Sequence, residues 1–249
     1  MNVKTLVAGI AALLAAASIS AAEIKVLASN GVREALNELA PAFERESGHK
    51  LAFGFAGAAA LKRRIEGGEA FDLAIIDRAG IEDLAKQGKV DGASRAAIAR
   101  SGVGIGIRAG APRPDIGTAD ALKRTLLAAK SISWAKEGQS GMYFAGMLER
   151  IGIAGEIRPK AELVGSSAEA GKLVAAGKIE FAVGLLNELM VAPGVEVLGP
   201  LPSELQNYTA FHAGVGVGSK DSSAAKALIK FLTTPAAGAV FKAKGQEPG

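Results

Sequence analysis

Short apolar segments alternate with amphipathic segments that end at glycine, and this alternation limits the possible folds more than any other feature. Residues 24–28 and 51–55 are apolar runs of strand length, and Gly48 precedes the second of them. Between the two runs, apolar residues recur at helical spacing, namely Val32, Ala35, Leu36, Leu39 and Phe43. Regular exchange of strands and helices predicts parallel strands covered by helices on both faces. We therefore predict the α/β class.

Two passages rich in glycine and proline interrupt this pattern, at residues 109–114 and 199–202. Such residues punctuate a chain strongly, so we interpret both passages as crossings between two lobes. Residues 23–105 and 210–249 are predicted to form lobe I, and residues 106–209 lobe II.

The first residues are typical of a secretion signal. Lys4 precedes an apolar run over residues 5–17, and small residues, apart from Ile19, follow as far as Ala22. The run is too short to span a bilayer, although an N-terminal anchor is the alternative interpretation. We predict that residues 1–22 are a signal peptide and that the mature protein resides in the periplasm. The chain has no cysteine, so we expect neither a disulfide nor a lipid attached to an N-terminal cysteine.

Three predicted helix starts with small or capping residues follow strands. Their residues are Ser29 and Asn30; Ala56, Gly57 and Ala58; and Ser140, Gly141 and Met142. A helix start offers unpaired N–H groups and a partial positive charge, which together bind anions. In open parallel sheets, ligands bind beyond the carboxyl ends of the strands. The three loops are therefore predicted to converge on an anion, although each could be an ordinary cap or turn.

Charge and composition argue against several other functions. The formal net charge is only +4, whereas nucleic-acid binding normally needs a clustered basic patch, so we expect no nucleic-acid partner. His49 and His212 are far apart and lack acidic partners at metal-ligand spacing, so we expect no metal or other cofactor. Residues 138–141 lack the pattern of a nucleophile elbow, and no catalytic residue is predicted from a motif.

Segments 24–31, 43–50 and 67–75 resemble the molybdate-binding proteins of ABC transporters. The resemblance covers nearly the whole mature chain. It implies a type II periplasmic binding protein fold, in which two crossover strands join two α/β lobes around a ligand cleft. It also implies a monomer that captures a small anionic ligand for an ABC transporter permease.

The resemblance is to a divergent branch of this family, of which segments 108–116 and 193–202 look typical. Molybdate-binding proteins carry a serine-rich turn at the second helix start, where this chain has Ala56, Gly57 and Ala58 without a hydroxyl. They also carry a tyrosine in the region that Asn187 occupies here. Each missing donor would cost roughly 1.5–3 kcal/mol for a buried dianion, so an organic carboxylate is favoured over molybdate.

Arginine side chains are candidates to replace the missing donors, because they bind carboxylates in a bidentate way. Arg78 follows the third strand, Arg108 lies at a crossover, and Arg33 lies in the first turn of helix one. Each could instead be a solvated surface charge.

A second class of function stays open, because a periplasmic aconitate isomerase also belongs to this broad relationship. A proton shift on a tricarboxylate needs a general base, for which Glu188 or Glu169 are candidates. A sensor subunit that passes a ligand signal to a receptor is the third alternative.

Overall fold

The computed structural model describes residues 21–249. The predicted signal peptide therefore lies outside the described residues, apart from Ala21 and Ala22, and its cleavage stays a prediction.

Ten strands form one mixed sheet in the described chain. They are β1 Glu23–Ser29, β2 Lys50–Ala56, β3 Leu73–Asp77, β4 Ala96–Arg108, β5 Ile132–Ala135, β6 Ala161–Val164, β7 Phe181–Leu185, β8 Val195–Pro200, β9 Tyr208–Val215 and β10 Glu247–Pro248.

The α-helices of the described chain mostly follow the strands. They are α1 Arg33–Ser47, α2 Ala58–Glu66, α3 Arg78–Lys86, α4 Ala119–Ala128, α5 Gln139–Arg150, α6 Ala154–Ile157, α7 Ser167–Ala175, α8 Leu186–Met190, α9 Ser222–Leu232 and α10 Pro235–Ala243.

The two ends of the sheet are parallel and its centre is antiparallel. β1 pairs in parallel with β2 and β3, and β5 pairs in parallel with β6 and β7. Two returning strands, β9 and β4, lie between these groups in the order β2-β1-β3-β9-β4-β7-β5-β6. The predicted α/β class is confirmed. The centre is antiparallel because β4 and β9 run between the two groups in the direction opposite to their neighbours.

β4 belongs to both groups of strands, because it exchanges partners along its length. Residues 96–102 pair with β9, whereas residues 103–106 pair with β7. The exchange lies close to the predicted lobe boundary at 105–106, and the division of the chain into lobes stays a prediction.

Helices cover both faces of each parallel group. In the first group, α1, α9 and α10 pack on one face and α2 and α3 on the other. In the second group, α4, α5 and α6 pack on one face and α7 and α8 on the other. Each group thus buries its own apolar residues, and the space between the groups stays open to a ligand.

Glycine allows α8 to lie directly on β4 near the point where β4 exchanges partners. A Cβ atom at Gly104 would overlap the side chain of Leu186, the first residue of α8. This close approach fixes the position of α8, whose later residues reach the space between the two groups.

Candidate functional site

A cavity of about 120 Å³ lies between the two groups of strands. Residues that follow the carboxyl ends of β1 and β2 form one wall, and residues that follow β5, β6 and β7 form the other. This is the place where open parallel sheets bind ligands. The volume is well below the roughly 300–1,000 Å³ of pockets for drug-sized molecules, so the cavity suits a small metabolite or ion.

Two helices of eight residues or more in the described chain begin at the cavity without a side-chain cap, and the short helix α8 also begins there uncapped. The residues before α2 and α5 are Gly57 and Gly138, which have no side chain to accept from the first N–H groups. The free N–H groups of both helix starts therefore face the cavity with a partial positive charge.

Four of the helices that begin elsewhere in the described chain have a side-chain cap, whereas α1 and α6 have none. The capping residues are Asp77 for α3, Thr118 for α4, Asp221 for α9 and Thr234 for α10. Among the helices of eight residues or more in residues 21–249, α7 is the one capped helix that starts at the cavity. Its cap is Ser166, whose side chain accepts a hydrogen bond from the N–H of Glu169.

Three buried hydroxyls add possible donors to the cavity wall. Ser29 and Ser140 are 8% and 2% exposed, and Ser29 does not cap the turn that it precedes. The Oγ1 atom of Thr209 is buried and has no hydrogen-bond partner among the described residues. An unpaired buried hydroxyl is costly, and a ligand in the cavity would satisfy it.

The charged side chains of the wall are acidic. Among the described residues that line the cavity, Glu137 and Glu188 are charged and no lysine or arginine is present. Glu137 pairs with Arg63 of α2 across the opening at 3.1 Å, and both side chains are well exposed. The positive potential for an anion therefore comes mainly from the helix starts.

Glu188 occupies the wall between the first cavity and a second one of about 280 Å³. Burial raises the pKa of the Glu188 carboxyl, and this effect outweighs the hydrogen bond from the Ser167 hydroxyl and the charge of Arg33, which lower it. The carboxyl therefore takes up a proton more readily than an ordinary glutamate.

The second cavity has the basic group that the first one lacks. Arg33 lines it, donates to the Asn30 side chain at 2.7 Å and lies over the ring of Phe55. Asn30, Ser166 and Glu188 line both cavities, so the two spaces are neighbours on either side of these residues.

No group of three His, Asp or Glu side chains in the described part of the chain could hold a metal ion. Within the same residues, no helix combines the length and the apolar character needed to cross a membrane.

A family model described as bacterial extracellular solute-binding protein matches residues 24–247 of the chain. The chain belongs to this solute-binding family. The match spans all the strands that surround the cavity.

Two relatives match the solute-binding chain along almost its full length. An aconitate isomerase from Pseudomonas sp. is 30% identical and covers 96% of this chain and 94% of its own. The molybdate-binding protein ModA of Azotobacter vinelandii is 26% identical and covers 98% and 97%. The resemblance to molybdate-binding proteins that was inferred from the sequence is therefore confirmed.

Solved structures share the fold. The periplasmic molybdate-binding protein of Azotobacter vinelandii has a TM-score of 0.77 at 17% identity and covers 91% of this chain and 99% of its own. The sulfate-binding protein SubI of Mycobacterium tuberculosis has a TM-score of 0.75 at 19% identity and covers 91% and 87%. The predicted two-lobed periplasmic binding protein fold is confirmed.

The structure brings five of the predicted site residues of this solute-binding protein to the first cavity. They are Ser29, Asn30, Gly57, Ala58 and Ser140.

Four other predicted residues lie next to the cavity or behind its wall. Ala56 ends β2 just before the wall begins, and Gly141 packs against the Ala135 carbonyl. Met142 is 45% exposed and does not line the cavity. Asn187 is buried and donates to the carbonyl oxygen of Gly31 at 2.7 Å, so its amide nitrogen already has a partner.

The two predicted arginines lie away from the cavity. Arg78 is exposed and pairs with Glu82 at 2.8 Å on the outer side of α3. Arg108 ends β4 and lines a surface groove with Lys130 and Lys178. Both positions follow from the chain path, because α3 is capped by its own Asp77 and β4 runs on past the cleft.

Sequence reasoning did not single out Thr209, Glu137 or Ser167 as wall residues. Thr209 reaches the cavity through the pairing of β9 with β4, which are distant in the chain. Glu137 directly precedes the start of α5 and Ser167 begins α7, so both reach the wall with helix starts that follow strands.

Proposed function

We propose that this protein is a periplasmic solute-binding protein that captures a small carboxylate anion in the cavity between its lobes. The observation that carries the proposal is the set of donors around the cavity: the uncapped starts of α2 and α5 and the unpaired Thr209 hydroxyl. In this account the chain is exported, loses residues 1–22 and delivers its ligand as a monomer to an ABC transporter permease.

The chemistry of the wall favours a carboxylate over molybdate. The start of α2 offers Ala58 and Gly57 rather than hydroxyls, so a tetrahedral dianion would have few donors there.

The relatives agree with an anionic ligand but name different ones. The 30% identical relative is named for aconitate, a tricarboxylate, and the 26% identical relative is named for molybdate. The structural neighbours are less than 20% identical and support the fold alone.

Isomerisation of a bound carboxylate is the second candidate function. The named activity of the 30% identical relative favours it, and so does the presence of a buried carboxyl in the cavity wall. A solute-binding protein and an isomerase would share the same cavity and the same carboxylate contacts, and they differ in whether the ligand leaves unchanged.

A thermal-shift screen of the mature protein, residues 23–249, tests the proposed ligand class. The panel contains cis-aconitate, trans-aconitate, citrate, tricarballylate, molybdate, tungstate, sulfate and glucose. A ligand at a hundred times its Kd stabilises the native state by about 2.7 kcal/mol, which raises Tm by about 5–10 °C for a chain of this size. We expect this rise with at least one carboxylate. A rise with glucose alone, or with the inorganic oxyanions alone, would contradict the proposal.

A further inference from the structure

Glu188 is placed between two spaces that a ligand can enter. It lies on the short helix α8, which starts directly after β7 and packs on β4. Its side chain lines both the cavity of about 120 Å³ and the neighbouring cavity of about 280 Å³. A ligand that extends from one cavity into the other therefore passes along this carboxyl group.

The surroundings of Glu188 change the pKa of its carboxyl group. The Ser167 hydroxyl donates to the carboxyl group, and Arg33 supplies a positive charge from α1. The other titratable side chains in the two cavity walls are Glu34 and Glu137. Burial outweighs these influences and raises the pKa of Glu188, which brings it nearer to the neutral range in which a general acid–base group works best.

The two other acidic candidates near the cavity have structural partners. Glu169 is exposed and accepts from the N–H of Gly165 at 2.9 Å, so it completes the cap of α7. Glu137 pairs with Arg63 at 3.1 Å. Glu188 is the acidic wall residue of the described chain that combines enclosure with direct access to both cavities.

We propose that Glu188 is a catalytic acid–base residue that moves a proton between two carbon atoms of a bound unsaturated carboxylate, so that the protein isomerises its ligand. This inference rests on the carboxylate binding proposed above. It assigns a chemical role to Glu188, a partly buried acidic residue of the cavity wall.

The proposed step balances without a cofactor. The Glu188 carboxylate removes a proton from a carbon that lies beside both a carboxylate and a carbon–carbon double bond. The electron pair of the broken C–H bond spreads over the three-carbon unit, and the protonated Glu188 returns the proton to the far carbon. The double bond has then shifted by one position, and Glu188 has regained its starting form.

The rest of the site suits the charge that builds up in this step. Negative charge moves onto the carboxylate beside the reacting carbon, and the free N–H groups at the starts of α2 and α5 face that space. The second cavity gives room for another carboxylate near Arg33. A tricarboxylate with one double bond has the length and charge to use both ends.

Proton NMR in D2O with cis-aconitate and with trans-aconitate tests the proposal on the mature protein. The wild-type protein is expected to exchange ligand C–H protons for deuterium and to convert one isomer into the other. In E188Q, which keeps the shape and the acceptor for Ser167, exchange should fall at least about 100-fold, the low end of general acid–base contributions. Its calorimetric Kd for either isomer should change by less than about fivefold. E169Q is the matched control, with exchange unchanged.

The S167A variant distinguishes a catalytic role of Glu188 from a merely structural one, because only a catalytic role makes the pH dependence of the exchange rate follow the pKa of Glu188. Removal of the hydroxyl removes an influence that lowers the pKa of Glu188. The carboxylate form then appears only at higher pH, so the acid limb of the exchange rate should shift upwards in pH. An unchanged profile would contradict the assignment.

The remaining outcomes separate this inference from the function on which it rests. Binding of an aconitate isomer without exchange would overturn the catalytic role and leave carboxylate capture intact. Exchange that survives in E188Q would overturn the assignment to Glu188. Failure of both isomers to bind would overturn the inference, and the proposed function would fall with it if citrate and tricarballylate also failed.

Discussion

The hydroxyl of Thr209 is buried at the cavity wall without a partner in the described chain, so its replacement should affect stability and binding in opposite directions. T209V removes an unsatisfied polar group, and we expect the unliganded protein to gain about 1 kcal/mol of unfolding free energy. The same change should weaken carboxylate binding by about 1.5–3 kcal/mol, or roughly tenfold to a hundredfold in Kd. Urea unfolding and calorimetry measure the two effects.

Ser133 offers a control for this pair of effects. Its hydroxyl is also buried without a partner in residues 21–249, but it does not line the cavity. S133A should leave the ligand Kd unchanged. If T209V binds as tightly as the wild-type protein, Thr209 is not a ligand donor.

Glu69 carries a charge network that makes stability depend on pH. Its carboxylate accepts two hydrogen bonds from Arg64, at 2.6 and 2.8 Å, and pairs with Lys25 at 3.0 Å. These partners lower the pKa of Glu69 to about 2. A lowered pKa stabilises the fold above the ordinary pKa of 4.5, and this stabilisation disappears as pH falls from there towards 2.

E69Q should therefore cost about 1 kcal/mol of unfolding free energy at pH 7, since the network lies at the surface and is partly screened. The difference between E69Q and the wild-type protein should shrink as denaturant titrations move from pH 5 to pH 2. A difference that stays constant over this range would show that the charge of Glu69 is not its source.

The position of α5 depends on the absence of a side chain at Gly141. A Cβ atom there would overlap the carbonyl oxygen of Ala135, which belongs to the backbone and cannot rotate away. G141A should therefore push the helix start out of place, cost about 2 kcal/mol of stability and weaken ligand binding at least tenfold. Chemical unfolding and calorimetry test both numbers.

Gly146 lies on the same helix and provides the matched control. Nothing lies within 4 Å of a Cβ atom at that position. G146A should raise stability by about 0.5–1 kcal/mol, because alanine favours helix, and it should not alter binding. Similar losses in both variants would mean that the contact with Ala135 is not the cause.

The longer elements could be predicted from the sequence because each has a strong periodic pattern and a stop signal. Gly48, for example, ends α1 with a left-handed backbone conformation, as its place after the apolar helical pattern predicts. The short elements β6, β8 and α8 cannot be predicted in this way, since four to six residues are too few to show a period. The start of β4 at Ala96 also carries no clear sequence signal, because its alanine-rich residues have weak strand propensity.

Part of the site was predictable for the same local reason. The starts of α2 and α5 are visible in the sequence as glycine and serine directly after strands. Thr209 was not visible, because it comes to the wall on a strand that returns from the far end of the chain. Arg78 and Arg108 were expected near the ligand from chain position alone, whereas side-chain direction and local ion pairs decide where they lie.

The contact of Asn187 with Gly31 links the second group of strands to the first. Asn187 donates to the Gly31 carbonyl at 2.7 Å, and Gln246 donates to the same oxygen at 3.1 Å. N187A should cost about 1–2 kcal/mol of stability, because a buried hydrogen bond is lost while the carbonyl keeps its second donor.

The R63A variant is the control for N187A. It breaks the exposed ion pair between Arg63 and Glu137, which spans the opening of the cavity. Its cost should stay below about 1 kcal/mol and should vanish at high salt. If R63A destabilises the protein more than N187A in urea titrations, the buried contact is not the main link between the two halves.

Carboxylate capture in the cavity is the central claim, and calorimetry on the mature protein tests it most directly. Parallel titrations use cis-aconitate, trans-aconitate, citrate, tricarballylate and molybdate. The account predicts that at least one carboxylate binds with a micromolar Kd or better, about −8 kcal/mol, and that molybdate gives no measurable binding. Submicromolar binding of molybdate with no binding of any carboxylate would contradict it.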